Sequence, residues 1–197
     1  MKINNIPGSI PLDSETIRGL IPNLTTQSEL NEFEANNIAQ ALLWTKSSRK
    51  IKKNLLTVSG LIELHKQMFG QVWEWAGKFR RSQTNIGVPK ENIQNELGQL
   101  LGNVQYWLEN ETYSLDELAI RFHHKLVWIH PFPNGNGRWS RLATDLLLEF
   151  NGGNKFSWGS DDLTYENDDR SRYIKALRVA DETKDFTDLL KFARGIE

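Results

Sequence analysis

The stretch WIHPFPNGNGRWSRLATDLLLEF, residues 128–150, decides how this chain folds around its most unusual chemistry. Pro131 ends the helix that precedes it, because the residue before a proline avoids the α region. Beyond the turn, the apolar residues recur with the period of a second helix. This helix should begin near Gly135 and end before Gly152, where a glycine pair signals a C-cap. The stretch therefore predicts a helix, a tight turn and a second helix.

Such a turn has the chemistry of an anion site. The first N–H groups of a helix lack internal partners and carry the positive end of its dipole. Gly135 and Gly137 let the backbone approach a phosphate, and Arg138 and Arg141 add two charged forks on one face. His130 precedes the turn, where it could take a proton from an incoming hydroxyl. The pattern favours phosphoryl or nucleotidyl transfer, although a glycine turn between core helices would show the same residues.

Composition sets wider limits. The chain has 197 residues, 39% of them hydrophobic and 25% charged, which is typical of one globular domain. Its net charge of −1 does not favour nucleic acid or an anionic membrane as a partner. It has no cysteines, which fits a reducing cytoplasm, and we expect no membrane span or secretory signal.

The helical period recurs along most of the chain. We therefore expect an all-α domain over residues 26–197, after an irregular arm at 1–25. A capping box at Thr26 and Glu29 should open the first helix, with Leu30, Phe33, Ile38 and Leu42 on one face. Residues 69–88 break the period and predict one small β-hairpin. The remaining helices are expected at 57–69, 91–108, 114–128, 170–181 and 186–193.

Histidines and tryptophans outside the turn are expected to be structural. His65, His123 and His124 lie on helical stripes, where a hydrogen-bonded histidine is commoner than a ligand. The tryptophans should belong to the core rather than to a stacking surface, since no basic residues surround them; they are Trp73, Trp75, Trp107, Trp128 and Trp139.

The segment HPFPNGNGRWSR, residues 130–141, resembles the signature of the Fic family, His-x-Phe-x-Asp/Glu-Gly-Asn-Gly/Lys-Arg-x-x-Arg. Upstream, LIELHKQMFGQVWEWAGKFRRSQTNIG, residues 61–87, resembles the helix and flap hairpin of that family. The signature also resembles a bacterial subgroup on mobile elements called mobile mystery protein B. The resemblance implies transfer of AMP from ATP with Mg²⁺ or Mn²⁺ to a Ser, Thr or Tyr hydroxyl of a target protein.

The resemblance also implies roles for individual residues. His130 would be the general base and Phe132 a core anchor, while Tyr173 would lie on the adenine side. Gly137, where Doc-type toxins have lysine, favours nucleotidyl transfer over phosphotransfer. The phosphates would be held by Gly135, Asn136 with its side chain, Gly137, Arg138 for the β-phosphate and Arg141 for the γ-phosphate. A flap would dock the target backbone through Ser82, Thr84, Asn85, Ile86 and Gly87.

Two positions depart from the family pattern. Asn134 stands where the family has an acid that binds Mg²⁺, so metal affinity should fall. Glu34 lies on the apolar stripe of the first helix, where an unpaired carboxylate is costly. It resembles the glutamate of the family's inhibitory helix, here residues 26–45, which would pair with Arg141. Glu32 is the rival candidate, although its side chain points off the stripe.

Several functions stay open at this level. Another Fic-type transfer would move UMP, phosphate or phosphocholine instead of AMP. A nucleotide-binding or protein-interaction module would have kept the anion site and lost metal chemistry through Asn134. A helical scaffold without a ligand is the remaining alternative. A homodimer is also considered, and the target protein is not identified by the sequence.

Overall fold

The computed structural model describes residues 17–159, 163 and 167–196. Most of the predicted N-terminal arm, residues 1–16, lies outside the described residues. Just after it, Leu20 forms an isolated antiparallel bridge with Trp73. No helix of the described ranges combines the length and the apolar character needed to cross a membrane.

Helices dominate the described chain, which confirms the all-α prediction. Their bounds are α1 Gln27–Ser47, α2 Arg49–Asn54, α3 Val58–Phe69, α4 Ile93–Glu109, α5 Leu115–Ile129, α6 Asn136–Phe150, α7 Asp168–Thr183 and α8 Thr187–Arg194, with a 3₁₀ turn at Lys90–Asn92 before α4.

Local capping chemistry fixes where these helices begin. The Thr26 side chain accepts a hydrogen bond from the Glu29 backbone N–H, and the Glu29 carboxylate accepts one from the Thr26 backbone N–H. The predicted capping box is therefore formed. Thr57 and Ser114 cap α3 and α5 in the same way, through the N–H groups three residues later. These signals depend on neighbours in sequence, which is why the predicted starts of these helices agree with the structure.

The predicted β-hairpin is not formed. Between α3 and the 3₁₀ turn, the described chain has turns and bends, and the bridge from Trp73 to Leu20 does not pair two arms of a hairpin. Instead, the Arg80 guanidinium donates to the carbonyl oxygens of Ser82, at 3.2 Å, and of Val88. A side chain thus joins the two arms of this loop, where strands would have used backbone hydrogen bonds.

Helix α1 buries a different face from the predicted one. Phe33 and Leu42 are 46% and 39% exposed, so their placement on the buried face was wrong. The buried positions are Leu30, Glu34, Asn37, Ala41 and Thr45. Asn37 explains the change, because its amide donates to the Gln67 carbonyl at 2.9 Å and accepts from the Gln71 N–H at 2.9 Å. Specific hydrogen bonds to the end of α3 therefore decide the rotation of α1.

Helices α5 and α6 pack against each other at the centre of the fold. One apolar cluster joins them to α1, α3 and α4, and a second joins them to α7 and α8. Trp73 and Trp139 are buried in the first cluster, as predicted. Trp128 is 39% exposed with the Lys125 ammonium 3.5 Å from its ring centroid, so its assignment to the core was wrong. The α5–α6 turn lies where the first cluster meets this central pair.

Candidate active site at the start of helix α6

The turn between α5 and α6 is closed by the side chain of Asn136. Its Oδ1 accepts from the Phe132 N–H at 2.9 Å, and its Nδ2 donates to the Phe132 carbonyl at 2.8 Å. Asn136 is buried, and these two bonds use one donor and one acceptor site of its amide. The expected contact of this side chain with a phosphate stays a prediction. Asn136 shapes the loop, and its backbone N–H belongs to the open end of α6.

The two glycines of the turn have different roles. Gly135 has a φ of 77°, and a Cβ there would lie 2.7 Å from the Phe69 ring. Both the left-handed backbone and the close approach of α3 thus require glycine at this position. Gly137 is helical, and the nearest atom to an added Cβ is Arg141 Nη1 at 3.6 Å. A Cβ at residue 137 would therefore meet no steric obstacle.

His65, on α3, supports the turn between α5 and α6 through hydrogen bonds of its ring. Its Nε2 donates to the Asn134 carbonyl at 3.1 Å, and its Nδ1 accepts from the Gly77 N–H at 3.0 Å. The ring stacks on Phe132 with centroids 3.7 Å apart. Burial lowers the pKa of His65 to about 3, so the ring is neutral. His65 is structural, and Phe132 is a fully buried anchor, as predicted.

His130 sits at the end of α5 in the left-handed conformation, with φ 53° and ψ 59°. Its Nδ1 lies 3.2 Å from the Val127 carbonyl, which can only accept, so Nδ1 carries the proton. Burial, with a smaller contribution from the nearby Arg80 charge, lowers the pKa of His130 to about 4. The imidazole is therefore neutral at pH 7, with the lone pair on Nε2. This is the protonation state that a general base requires.

Arg80 connects the base to the loop in front of it. Its Nε donates to the His130 carbonyl at 2.8 Å, while its two Nη atoms hold Ser82 and Val88. Its backbone N–H donates to the Pro131 carbonyl at 2.9 Å. The sequence reasoning missed this residue. Nothing in the local pattern separates buried Arg80 from exposed Arg81, since the difference depends on α5 packing nearby.

Of the predicted flap residues, Gly87 lies next to His130. Gly87 has a φ of 97°, and an added Cβ would come within 2.7 Å of His130 Cβ. The Val88 N–H donates to the Ile129 carbonyl at 3.3 Å, which fixes the end of the loop. Thr84 Oγ1 donates to the Ile86 carbonyl at 2.6 Å. Within the described chain, backbone N–H groups of 82–87 make no bond to another backbone carbonyl.

Glu34 reaches the start of α6, but its partner is not the predicted one. Arg138 Nη1 donates to Glu34 Oε2 at 2.6 Å, and Trp73 Nε1 donates to Glu34 Oε1 at 2.6 Å. The expected pair with Arg141 was therefore wrong. Residues three apart on a helix differ by about 60° in direction, so the two arginines face different neighbours. The rival Glu32 is exposed.

Arg141 faces α7 instead of α1. Its guanidinium carbon lies 5.8 Å from the ring centroid of Tyr173. Tyr173 is buried, and its hydroxyl lies 2.8 Å from His123 Nε2. Burial raises the pKa of Tyr173, which Arg141 partly opposes. The expected place of Tyr173 on the adenine side stays a prediction, and its ring lies buried beside Arg141.

The residues at the turn do not make an evident metal site. Asn134 Oδ1, the expected weak metal ligand, accepts from the Gly135 N–H at 2.5 Å. Across the described ranges, no group of three or more His, Cys, Asp or Glu side chains could hold a metal ion. Mg²⁺ is usually held by one or two carboxylates together with phosphates, and this donor set does not fit it.

Comparison with known proteins agrees with this geometry. Residues 55–148, which include the turn, match the Fic/DOC family model. Relatives named protein adenylyltransferase Fic are 33% identical over 158 residues in Drosophila virilis and 32% identical over 135 residues in Aedes aegypti. These alignments cover 78% and 66% of this chain. The chain belongs to the Fic family.

Solved structures show the same fold. Fic-1 from C. elegans aligns with a TM-score of 0.66 at 22% identity, over 90% of this chain and 51% of that one. The N-terminal Fic domain of a Bep effector from Bartonella quintana, solved with bound ADP, aligns with a TM-score of 0.64 at 21% identity. That alignment covers 88% of this chain and 87% of the other. The two insect relatives are much longer, since the chain spans only 30% and 26% of their lengths.

Proposed function

We propose that this chain is a protein adenylyltransferase, which transfers AMP from ATP to a Ser, Thr or Tyr hydroxyl of a target protein. The observation that carries the proposal is the state of His130. A neutral imidazole with its Nε2 lone pair available lies beside the uncapped start of α6. The names of the curated relatives and the ADP bound in the Bartonella domain support the choice of an adenine nucleotide.

The transfer assigns a task to each part of the site. The target hydroxyl oxygen attacks the α-phosphorus of ATP while His130 Nε2 takes the hydroxyl proton. The bond from the α-phosphorus to the bridging oxygen breaks, and pyrophosphate leaves with that electron pair. Arg138 and Arg141 stabilise the charge that develops on the phosphates, together with the first N–H groups of α6. Gly135 and Gly137 keep that end of the helix open.

The loop at 82–87 is proposed to dock the target. Its backbone N–H groups make no backbone bond within the described residues, so they are available to an extended peptide. Arg80 fixes both ends of this loop relative to His130. A peptide bound along it would present its hydroxyl near the base. This geometry supports a protein substrate rather than a small alcohol.

We further propose that α1 restrains the enzyme through Glu34. Both carboxylate oxygens are hydrogen-bonded, and one of them holds Arg138, which a phosphate needs. A nucleotide would have to compete with this ion pair, of which the Glu34 side chain is only 9% exposed. Removing the carboxylate should therefore raise nucleotide affinity and transfer.

A non-catalytic nucleotide-binding module is the second candidate, and Asn134 is the observation that favours it. A neutral amide at this position supplies no charge to a metal ion. Transfer of UMP, phosphate or phosphocholine is distinguished from AMP transfer by the donor molecule that carries the label. The target protein, a homodimer, a bacterial origin and a cytoplasmic location stay predictions, the last of them compatible with a chain that lacks cysteine.

The test is transfer of label from α-labelled ATP to the chain itself and to cell-extract proteins. Glu34→Ala should label more strongly than wild type, and His130→Ala should not label. Glu32→Ala is the matched control, because it removes an exposed carboxylate from the same helix. The enzyme proposal fails if Glu34→Ala binds ATP and labels no protein at any pH tried. Equal labelling by Glu34→Ala and Glu32→Ala would refute the restraint alone.

A further inference from the structure

Apart from the Glu34 carboxylate and His130 Nε2, the described groups around the start of α6 are mainly donors of hydrogen bonds. Arg138 and Arg141 are cationic, and the first N–H groups of the helix lack a side-chain cap. A polyphosphate carries several negative charges, and most nucleotide sites neutralise part of them with Mg²⁺ held by carboxylates. Here, the two arginines supply positive charge directly. A divalent cation at this site would need a carboxylate or amide oxygen that has no other partner.

Among residues 17–159, 163 and 167–196, the carboxylate that reaches this end of the helix is Glu34, and both of its oxygens are engaged. One accepts from Arg138 and the other from Trp73, each at 2.6 Å. Asp145, further along α6, accepts from the Trp158 indole at 3.0 Å and from the Phe156 N–H at 3.2 Å. Asp145 is therefore turned toward the segment that follows α6. Neither acid presents an oxygen suited to a metal between phosphates.

One hydrogen bond determines how the side-chain amide of Asn134 is oriented. Its Oδ1 accepts from the Gly135 N–H at 2.5 Å, and a backbone N–H can only donate. The oxygen must therefore face Gly135, which fixes an amide orientation that is otherwise ambiguous. Because a carboxamide is planar, Nδ2 lies on the other side of Cγ, away from Gly135. The residue then offers two N–H donors where a metal site would need an oxygen.

We propose that this site binds the phosphates of its nucleotide without a resident divalent cation, and that Asn134 Nδ2 donates to a phosphate oxygen. This inference rests on the proposed function, since it concerns the same nucleotide site. The arginines and the helix N–H groups take the neutralising role that Mg²⁺ has elsewhere. The ligand class is a metal-free nucleoside di- or triphosphate.

The experiment is calorimetric titration of ATP into the full chain, once with excess Mg²⁺ and once with excess EDTA. Glu34→Ala serves as the parent for all variants, so that Arg138 is not occupied. The parent should bind ATP at least as well in EDTA as in Mg²⁺. Asn134→Asp should reverse this order, with binding about tenfold or more tighter in Mg²⁺. The added carboxylate repels free ATP and provides the missing metal ligand, while it keeps the acceptor for the Gly135 N–H.

Two further variants complete the series. Asn134→Ala removes the proposed donor and should weaken ATP binding in EDTA by about tenfold, the loss of one charge-assisted hydrogen bond. Asn103→Asp adds the same charge at an exposed position of α4 and should behave like the parent. Circular dichroism of each variant confirms that the fold is kept.

The outcomes separate the two proposals. If the parent binds ATP about tenfold more weakly in EDTA than in Mg²⁺, the metal-free site is overturned, while the nucleotide site itself is supported. Equal binding in EDTA by the parent and Asn134→Ala would overturn the role of the amide. If neither the parent nor Asn134→Asp binds ATP in either buffer, the proposed function falls, and this inference falls with it.

Discussion

At the scale of single residues, the most consequential feature is that His130 is kept neutral by its surroundings. Its pKa is lowered from 6.5 to about 4, mainly by burial, and the Val127 carbonyl opposes this only in part. A group with a lowered pKa loses its proton at lower pH, so the base form persists well below neutrality. His130 is thereby ready to act without prior deprotonation.

This state predicts the pH dependence of transfer. The labelling rate of Glu34→Ala should stay nearly constant from pH 7 down to about 5, and should fall by half near pH 4 as His130 is protonated. Initial rates across this range measure the effect, with circular dichroism at each pH to exclude unfolding. An acid limb centred near 6.5, the ordinary value for histidine, would show that the imidazole is solvated and would contradict the structure.

Arg80 carries a second prediction at this scale. Arg80→Lys should lower the efficiency of transfer to a protein target by at least about tenfold, because one ammonium cannot span three carbonyls. ATP affinity should change little, since Arg80 contacts the flap and His130 rather than the phosphate end of α6. Separate measurement of ATP binding and of the KM for target tests this split. Arg81→Lys, an exposed neighbour, is the control and should leave both quantities unchanged.

At the scale of elements, the helix-turn-helix is held by contacts from three directions. Asn136 closes the turn on itself, His65 supports it from α3, and Arg80 ties it to the flap. Phe69 at the end of α3 lies against Gly135 and beneath Arg138, whose guanidinium carbon is 4.9 Å from the ring centroid. The site is thus a property of how α3 meets α6, rather than of the turn alone.

The two glycines of the turn give an element-scale prediction. Gly135→Ala should destabilise the fold by about 2 kcal/mol or more, because it combines a left-handed backbone with a clash against Phe69. Gly137→Ala should be neutral or stabilising by up to about 1 kcal/mol, since alanine is the better helix former and has space. Urea unfolding of both variants provides the measurement. Equal destabilisation would mean that the turn differs from the structure described.

At the scale of the whole molecule, buried histidines couple the fold to pH. The pKa values of His65 and His130 are lowered to about 3 and about 4, and burial also lowers those of His123 and His124. Between pH 6.5 and these values the unfolded chain binds protons that the folded chain does not. The free energy of unfolding therefore falls as the pH drops through this window.

Asp145 acts in the opposite sense. Burial raises its pKa from 3.8 to about 6, so between these values the folded chain binds the proton more readily than the unfolded chain. Its contribution to stability is therefore unfavourable at neutral pH and is relieved as the pH falls. The histidines outnumber it, so the net effect of acid is destabilising.

We expect the unfolding free energy to fall by several kcal/mol from pH 7 to pH 5, with about 2 kcal/mol from each of His65 and His130. Asp145→Asn should be more stable than wild type at pH 7 and should lose stability more steeply, since it lacks the offset of about 1 kcal/mol. Urea unfolding followed by tryptophan fluorescence at the two pH values tests this. A wild type equally stable at both would show that the histidines are accessible to protons.

The local parts of this protein follow from its sequence alone. Thr26, Thr57 and Ser114 fix helix starts through bonds three residues away, and Pro131 ends α5, so these limits follow from neighbouring residues. The signature at 130–141 located His130 and the two arginines for the same reason, because one turn and one helix contain them all. Chemistry that lies within a dozen residues needs no knowledge of the rest of the fold.

The contacts of each polar side chain depend on tertiary packing. Glu34 pairs with Arg138 rather than Arg141 because the rotation of α1 is set by the Asn37 bonds to the end of α3, and no periodicity within α1 contains that information. Arg80 connects the flap to His130 through a hydrogen bond to the His130 carbonyl. Tyr173, on a helix distant in sequence, packs against Arg141. Partners of polar side chains depend on the relative rotation and spacing of whole elements, which packing fixes.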